Sequence, residues 1–493
     1  MNESSFRYES WRAPVDRLRG MADADPQTLR TRQVVQSRIL HVMERHGYQM
    51  VDTPVLEHTE LFLRKSGGER VAQMYAFNFR DREISLRPEY TASVLRHYVE
   101  SGQSSPLPVR LCYAGPVFRY ERPQAGRTRQ FTDTGVELIG GQGSVADAEI
   151  IHLALEGLES VGVHGKLVLG HIGIVLDFLN RLPLRQRARD WLIWSMERLR
   201  KGQPVDVEEE LPGLISRETL PGIFHEMSDS LREIPDDQLE RWVLAVLHEV
   251  GVQMHGGTRD SEEIVAGVIA KMHQTSEGDD VRQASQFISE LVEIRGKPET
   301  VIPELRALVQ RHGLDEGPIE EIQNTLELLR AYDANVDDVE LNLGLGRGLH
   351  YYTGILFEIY DPDRSWLQLC GGGRYDELAQ SLGARESIPA CGFSYGLERI
   401  VEASDWSEAV PVPDVLIVQA DPGSAVAAAR IAERRRASGE VVEIDVRGRS
   451  ANASRRYAQR RGIPTIVTVD ADGQQTEDMV SSRQTTEAQG GDS

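Results

Sequence analysis

Phe118–Glu137 reads FRYERPQAGRTRQFTDTGVE, and the rest of the chain is best understood outward from it. The stretch carries four arginines, Arg119, Arg122, Arg127 and Arg129, and no lysine. A guanidinium keeps its charge and presents its donors in a fixed plane, so it grips phosphate oxygens two at a time. A hairpin tip that needed only solvation would be served as well by lysine. The apolar flanks, YAGPVF and GVELIG, read as β-strands, and QAGR as the turn between them. A strand–loop–strand with clustered arginine reads as a polyphosphate clamp, and so as part of an active site. A fifth arginine, Arg347, stands far off in a glycine-rich turn, GLGRGLH.

The chain has 493 residues, which is room for two to four domains. It is 40% hydrophobic and 27% charged, the balance of a soluble globular protein. The N-terminal MNESSFRYESWRAP has no apolar core, so no secretory leader is expected. No run approaches the ~18 apolar residues of a membrane span. Cys112, Cys370 and Cys391 are scattered and form no CxxC pair, so neither a zinc site nor a disulfide framework is read, and no metal ligands are assigned. A cytoplasmic enzyme without a membrane anchor is the expectation. The formal net charge of −22 argues against a general nucleic-acid binder. The charge is uneven, however: residues 411–470 hold ten Arg against seven Asp or Glu.

Residues 28–46 read as an amphipathic helix with Val35, Ile39, Val42 and Met43 on one side, ended by Gly47. YQMVDTPVLE follows as a strand broken at Pro54, and Glu83–Val99 as a strand then a helix, with Thr91 as the candidate cap. From 183 to 338 helical periodicity dominates, as in Phe287, Ile288, Leu291 and Ile294 and again in Ile322, Leu326 and Leu329. That span reads as a helical insertion without chemistry of its own. Strand-like sequence returns at Val339–Asp361. Phe393 and Tyr395 then alternate with small residues, as in a strand facing a pocket. After Pro411–Pro413 the order is strand 415–418, helix 424–438, strand 441–446, helix 450–461, strand 465–469, which implies a small parallel sheet. The expected division is 1–182 and 339–408 for two parts of one catalytic domain, 183–338 for the insertion, 411–470 for a small α/β domain, and 471–493 for a polar, disordered tail.

Four stretches in order, LRPEYTAS, FRYERPQAGRTRQF, RGLHYYTG and GGGRYDEL with GFSYGLER, resemble the signatures of the class II aminoacyl-tRNA synthetases, and within them the histidyl-tRNA synthetases. The resemblance runs over nearly the whole chain except 183–338. It implies an α+β catalytic domain, an antiparallel sheet flanked by helices, in a homodimer, with a helical insertion and a small C-terminal α/β domain like the family's anticodon-binding one. It implies ATP with Mg²⁺ as cofactors and histidine and tRNA as partners. Arg119 falls at the family's α-phosphate arginine and Glu121 at its adenine contact. Arg127 and Arg399 fall at positions holding the outer phosphates, and Arg347 at an arginine that acts at the α-phosphate during activation; Arg119 and Arg347 are thus the implied catalytic pair. Glu89 and Thr91 match positions that receive the substrate's ammonium group. Glu137 and Tyr352, with Tyr351 beside them, match positions that face the imidazole. In-line attack of a carboxylate on phosphorus brings two anions together, and preplaced cations are the chemical answer to that.

The chain leaves the pattern at two places. Where the synthetases read RQFHQ, it has RQFTD, so Asp133 stands for a glutamine and Thr132 for a histidine; His350 stands for an aspartate. RQFT, GVELIG and YYTGILFE also resemble a non-catalytic relative, the regulatory subunit of ATP phosphoribosyltransferase. Three readings follow: a histidine–tRNA ligase, a histidine-sensing regulatory subunit, or an amino-acid-activating paralogue that does not serve tRNA. The arginine set and the C-terminal domain favour the first. In that domain ARIAERRR and RRYAQRR read as basic helices toward phosphate.

Overall fold

The computed structural model describes residues 15–64, 73–101, 106–120, 128–214, 278–346 and 351–480. The chain divides into two compact units, Met1–Asp25 with Thr31–Ser407 and Pro26–Arg30 with Glu408–Ser493.

In chain order the described strands of the first unit are β1 (Gln49–Met50), β2 (Leu56–His58), β3 (Ala76–Phe79), β4 (Arg82–Leu86), β5 (Val109–Phe118), β6 (Gln130–Ile139), β7 (Lys166–His171), β8 (Arg295–Gly296), β9 (Glu340–Asn342), β10 (Ile355–Tyr360), β11 (Gln368–Arg374) and β12 (Ala390–Gly396). Nine of them make one sheet in the order β1-β5-β6-β12-β11-β10-β7-β9-β8, while β2, β4 and β3 make a small antiparallel one. The run from β5 to β7 is antiparallel throughout, as expected. Parallel pairings of β1 with β5 and of β7 with β9 make the sheet mixed toward its edges. β5 and β6 are joined by the arginine-rich loop and pair without a break from Val109–Ile139 to Phe118–Gln130. Pro54 separates β1 from β2, which enter different sheets.

Helix Pro26–Arg45 buries Val35, Ile39, Val42 and Met43, the stripe that its periodicity gives away, and Gly47 leaves it with φ +84°. Helix Gly143–Glu159 buries Ile150, Ile151, Leu153 and Leu158 and packs beside helix Gly317–Ala331, which buries Ile322, Leu326 and Leu329. Burying one such side chain stabilises by roughly 1.5–3 kcal/mol, more than helix propensity supplies per residue. Tertiary packing therefore fixes these helices.

Described parts of the span 183–338 are built into the main sheet and its core. Arg295–Gly296 pairs with β9 at the edge of the main sheet. Phe287, Ile288, Leu291, Val301, Leu305, Ile319 and Leu326 all belong to the same core as Ile150 and Leu169. Apolar periodicity shows that a helix buries a face but not against which partner, so core helices and inserted ones look alike in sequence.

The second unit holds β13 (Val415–Gln419), β14 (Val442–Ile444), β15 (Thr465–Val469) and β16 (Gln475–Met479), in the order β14-β13-β15-β16. β14 and β15 flank β13 in parallel, with helices Ala425–Ala437 and Ala451–Arg461 as crossovers. β16 runs antiparallel to β15, so the expected tail does not begin at 471. Its five residues are all exposed and carry no apolar alternation, which hides the strand. The turn before it is sealed locally: Asp470 Oδ1 accepts from Asp472 N at 3.1 Å and Gln474 N at 2.8 Å, and Gly473 takes φ +80°. Among the described residues no helix is long and apolar enough to cross a membrane.

Candidate active site

Asp133, Gly135 and Glu137 alternate along β6 and so share one face of the sheet. Register sets Gly115, Tyr113 and Leu111 opposite them on β5, and Gly396, Ser394 and Gly392 on β12. Glycine at 392 is a spatial requirement. A Cβ there would stand 2.3 Å from Glu137 Oε2 and 2.6 Å from the Tyr375 hydroxyl. On Gly115 it would stand 2.1 Å from the Tyr90 hydroxyl. The small residues of β12 thus face the cleft. Tyr395 turns the other way and donates its hydroxyl to Ala154 O on helix Gly143–Glu159 at 2.7 Å. The alternation at Phe393 and Tyr395 is real, but the aromatics serve the helix side.

Glu137 is deeply buried, 1% exposed. Tyr113 donates its hydroxyl to Oε1 at 3.2 Å and Tyr375 donates to Oε2. Burial pushes its carboxyl well above the usual range, and the neighbouring charges of Glu89 and Asp133 push the same way, while hydrogen bonds from Thr91 and Tyr113 oppose the shift. Glu89 sits at the start of helix Thr91–Glu100, where its carboxylate accepts the Ala92 N–H at 3.1 and 3.3 Å. Glu89, not Thr91, therefore caps this helix; Thr91 is its first residue and turns its hydroxyl to the two carboxylates. The Glu89 carboxyl is raised chiefly by burial, with the Ala92 N–H and the Arg119 charge acting against the shift. Asp133 is 3% exposed and its charge adds to the rise at both glutamates. Two buried carboxylates, Asp133 and Glu137, and the half-buried Glu89 in mutual repulsion make a floor that a cationic ligand would relieve. Tyr351 and Tyr352 close one wall: their rings are 4.8 Å apart, and Tyr351 meets Tyr375 edge-on at 5.5 Å.

Arg119 follows the last residue of β5, and Arg399 lies in the first turn of the helix Leu397–Ala403 that follows β12. Register places Phe118–Gln130 and Asp133–Gly396 at one end of the sheet, so both cations belong to that end. Arg119 donates from Nε to Pro88 O at 2.8 Å and its guanidinium lies 5.0 Å from the Phe131 ring centre. Arg399 donates to Gln368 O at 2.9 Å. Glu121, Arg127 and Arg347, and with them His350, lie outside the described residues.

Several fasteners of the cleft escape a linear reading. Arg87 of LRPEY is 1% exposed and is wholly committed: Nε donates to Pro116 O at 2.9 Å, Nη1 to Thr53 O at 2.5 Å, and Nη2 to the Tyr90 hydroxyl. The Tyr90 ring stacks in turn on Tyr113 at 4.3 Å. Thr132, one of the residues that depart from the synthetase pattern, holds Glu398, donating its N–H at 2.9 Å and its hydroxyl at 3.1 Å. Glu398 also pairs with Arg32 at 3.3 Å. Arg374 of GGGRYDEL is buried against Asp147 at 2.8 Å and donates to Gly141 O at 3.0 Å. The tyrosines Tyr113 and Tyr375 were the missing acid partners; a phenol one step from a glycine run is the only sequence signal for Tyr375.

A family model for histidyl-tRNA synthetase matches residues 20–203 and 259–400, and an anticodon-binding domain model matches 414–491. The chain is similar to the histidine–tRNA ligase of Methanocaldococcus jannaschii, 30% identical over 92% of this chain and 91% of the relative. It is similar also to that of Pyrococcus abyssi, 31% identical over 92% and 91%. Among solved structures, one from Bacillus halodurans titled an ATP phosphoribosyltransferase regulatory subunit/histidyl-tRNA synthetase has a TM-score of 0.62 at 23% identity, covering 92% of this chain and 98% of that one. The apo histidyl-tRNA synthetase of S. aureus has a TM-score of 0.57 at 22% identity, covering 94% and 97%. These two are likenesses of fold.

Proposed function

The chain belongs to the histidyl-tRNA synthetase family, and from that premise we propose that it is a histidine–tRNA ligase working in the β6 cleft. The observation that carries the reading is the convergence of Glu89, Asp133 and Glu137 on one face, with Arg119 and Arg399 at the end of the same sheet. The acids suit a small ligand with an ammonium group at one end and an N–H donor at the other. Glu89, with Thr91 and Asp133, receives the α-ammonium group. Glu137, fixed by two phenols, receives an imidazole N–H, with Tyr351 and Tyr352 alongside. Asp133 replaces an amide by a carboxylate and so strengthens the charge complement to ammonium.

ATP lies toward the arginine end. Arg119 holds the α-phosphate, Arg399 and Arg127 the outer phosphates, Glu121 the adenine, and Arg347 the developing charge at phosphorus. The histidine carboxylate oxygen forms a bond to the α-phosphorus, the bond to the bridging oxygen breaks, and pyrophosphate leaves. The terminal ribose hydroxyl of tRNA then attacks the carbonyl carbon, and AMP departs. The described residues give Mg²⁺ no carboxylate pair at that end. Glu398 is occupied by Thr132 and Arg32, and Glu358 by Gln368 and Tyr360. Mg²⁺ holds its waters strongly and takes phosphate oxygens readily, so the ion would arrive with the triphosphate and would supply charge neutralisation there. A cytoplasmic homodimer completes the proposal.

Histidine-dependent exchange of pyrophosphate into ATP is the test, followed by charging of tRNA. Exchange with charging is expected. Histidine binding without exchange would move the chain to the regulatory class, and exchange without charging to a paralogue that serves another acceptor.

A further inference from the structure

We propose a second, independent site: a transition-metal centre of the Zn²⁺ class formed by His46, His152 and Glu156, on the far side of the sheet from the cleft. His152 and Glu156 stand one turn apart on helix Gly143–Glu159 and so project together. His46 arrives from the end of helix Pro26–Arg45, where its N–H still bonds to Val42 O and Met43 O. Its Nε2 lies 2.7 Å from Glu156 Oε2, and His152 Nε2 lies 3.6 Å from the same oxygen. The three ligand atoms all fall within 4.8 Å of one another. Donors on one tetrahedral ion stand about 3.4 Å apart, a spacing that side-chain rotation reaches from here.

The surroundings suit a dication. The side chains of His46, His152 and Glu156 are 23%, 20% and 25% exposed, sheltered but reachable. The His152 ring is held flat against Tyr332, 4.5 Å between centres and 8° between planes. His152 and Glu156 line a cavity of about 600 Å³ that also takes in Glu159, Asp333 and Asp338 together with Lys297 and Lys166, the latter tied to Glu340 at 2.6 Å, and Arg45 stands 3.8 Å from the other Glu156 oxygen. Three protein ligands leave a fourth position open. Two imidazoles and one carboxylate favour Zn²⁺, Co²⁺ or Ni²⁺ over Mg²⁺, which prefers oxygen alone. Separation from the cleft follows from the sheet: the same helix accepts the Tyr395 hydroxyl at Ala154 O, and Tyr395 points away from Glu137.

Co²⁺ titration of the chelator-treated full chain tests this directly. One equivalent per chain, with the visible bands of tetrahedral Co²⁺ and displacement by Zn²⁺, is the expected result. His152→Ala and Glu156→Gln should each weaken binding about tenfold or more and abolish the metal-dependent rise in melting temperature, while histidine-dependent pyrophosphate exchange stays at the wild-type level. His46→Gln, at a helix end, serves where His152→Ala fails to fold. Absence of the bands and of retained metal overturns the proposal. So does binding by the variants at wild-type stoichiometry and affinity, or displacement of Co²⁺ by an equal concentration of Mg²⁺.

Discussion

Glu137 shows how one residue's burial becomes chemistry. Removed from water, and flanked by Glu89 and Asp133, its carboxyl titrates well above the usual range in the folded chain. A raised acid contributes its full stability below the unfolded pKa and loses that contribution as pH climbs through the raised value. Glu137→Gln keeps an oxygen for Tyr113 and Tyr375 but cannot ionise. The melting temperature of the wild type minus that of E137Q should therefore fall as pH rises from the ordinary carboxylate range toward neutrality, and saturating histidine should flatten the trend. A difference that stays constant with pH would show that folding does not raise the Glu137 carboxyl. A hydrogen bond to a charged group is worth about 1.5–3 kcal/mol, so E137Q should also raise the KM for histidine roughly ten- to hundredfold in the exchange assay. Asp133→Asn removes the charge on the ammonium side and should raise the same KM by a comparable factor. An unchanged KM would take Asp133 out of the pocket.

At the scale of elements, the cleft depends on braces between segments far apart in the chain. The Arg374–Asp147 pair joins β11 to helix Gly143–Glu159 across 227 residues. Asp147→Ala would leave the buried guanidinium with Asp376 alone, at 3.1 Å, at a cost of up to about 3–5 kcal/mol, whereas replacing Arg374 and Asp147 together with apolar residues of similar volume should recover most of that. Denaturant midpoints for the single and double variants measure it; a double variant as weak as the single would mean that the pair holds its elements through something other than charge. Thr132→Val removes the hydroxyl bond to Glu398, beside Arg399. It should cost about 1 kcal/mol and lower exchange through a raised KM for ATP, with the KM for histidine little changed. These braces explain what the sequence could and could not show. Helix Pro26–Arg45 and the βαβαβ order of 415–469 were legible because period and caps are local. β8 has two residues and β16 no apolar face, so neither has a local signal. The acids Glu89, Asp133 and Glu137 were reached by resemblance, but the Tyr375 hydroxyl meets Glu137 across 238 residues, and only register brings them together.

On the scale of the whole molecule, charge divides the labour. The chain carries a net −22, yet residues 411–470 hold ten Arg against seven acids. The two basic helices of the second unit differ. On Ala425–Ala437, Arg435 pairs with Glu440 at 3.0 Å and Glu477 at 2.9 Å, and Arg436 with Glu433 at 2.5 Å, so much of that charge is spent within the unit. On Ala451–Arg461, Arg455, Arg456 and Arg460 are exposed. A polyanion approaching an acidic protein is drawn to the cations that are not already paired, so the second helix is the better candidate for tRNA phosphates. Arg455→Glu with Arg456→Glu should leave histidine-dependent pyrophosphate exchange unchanged, because activation needs only the first unit's cleft. The same variant should raise the KM for tRNA and reduce the slope of log affinity against log salt by about two, one unit for each lost phosphate contact. If exchange falls as well, the substitutions have damaged the fold or the two activities are not separable. If charging and its salt slope are both unmoved, tRNA is held elsewhere, and the basic helix is surface charge that keeps the acidic chain from repelling itself.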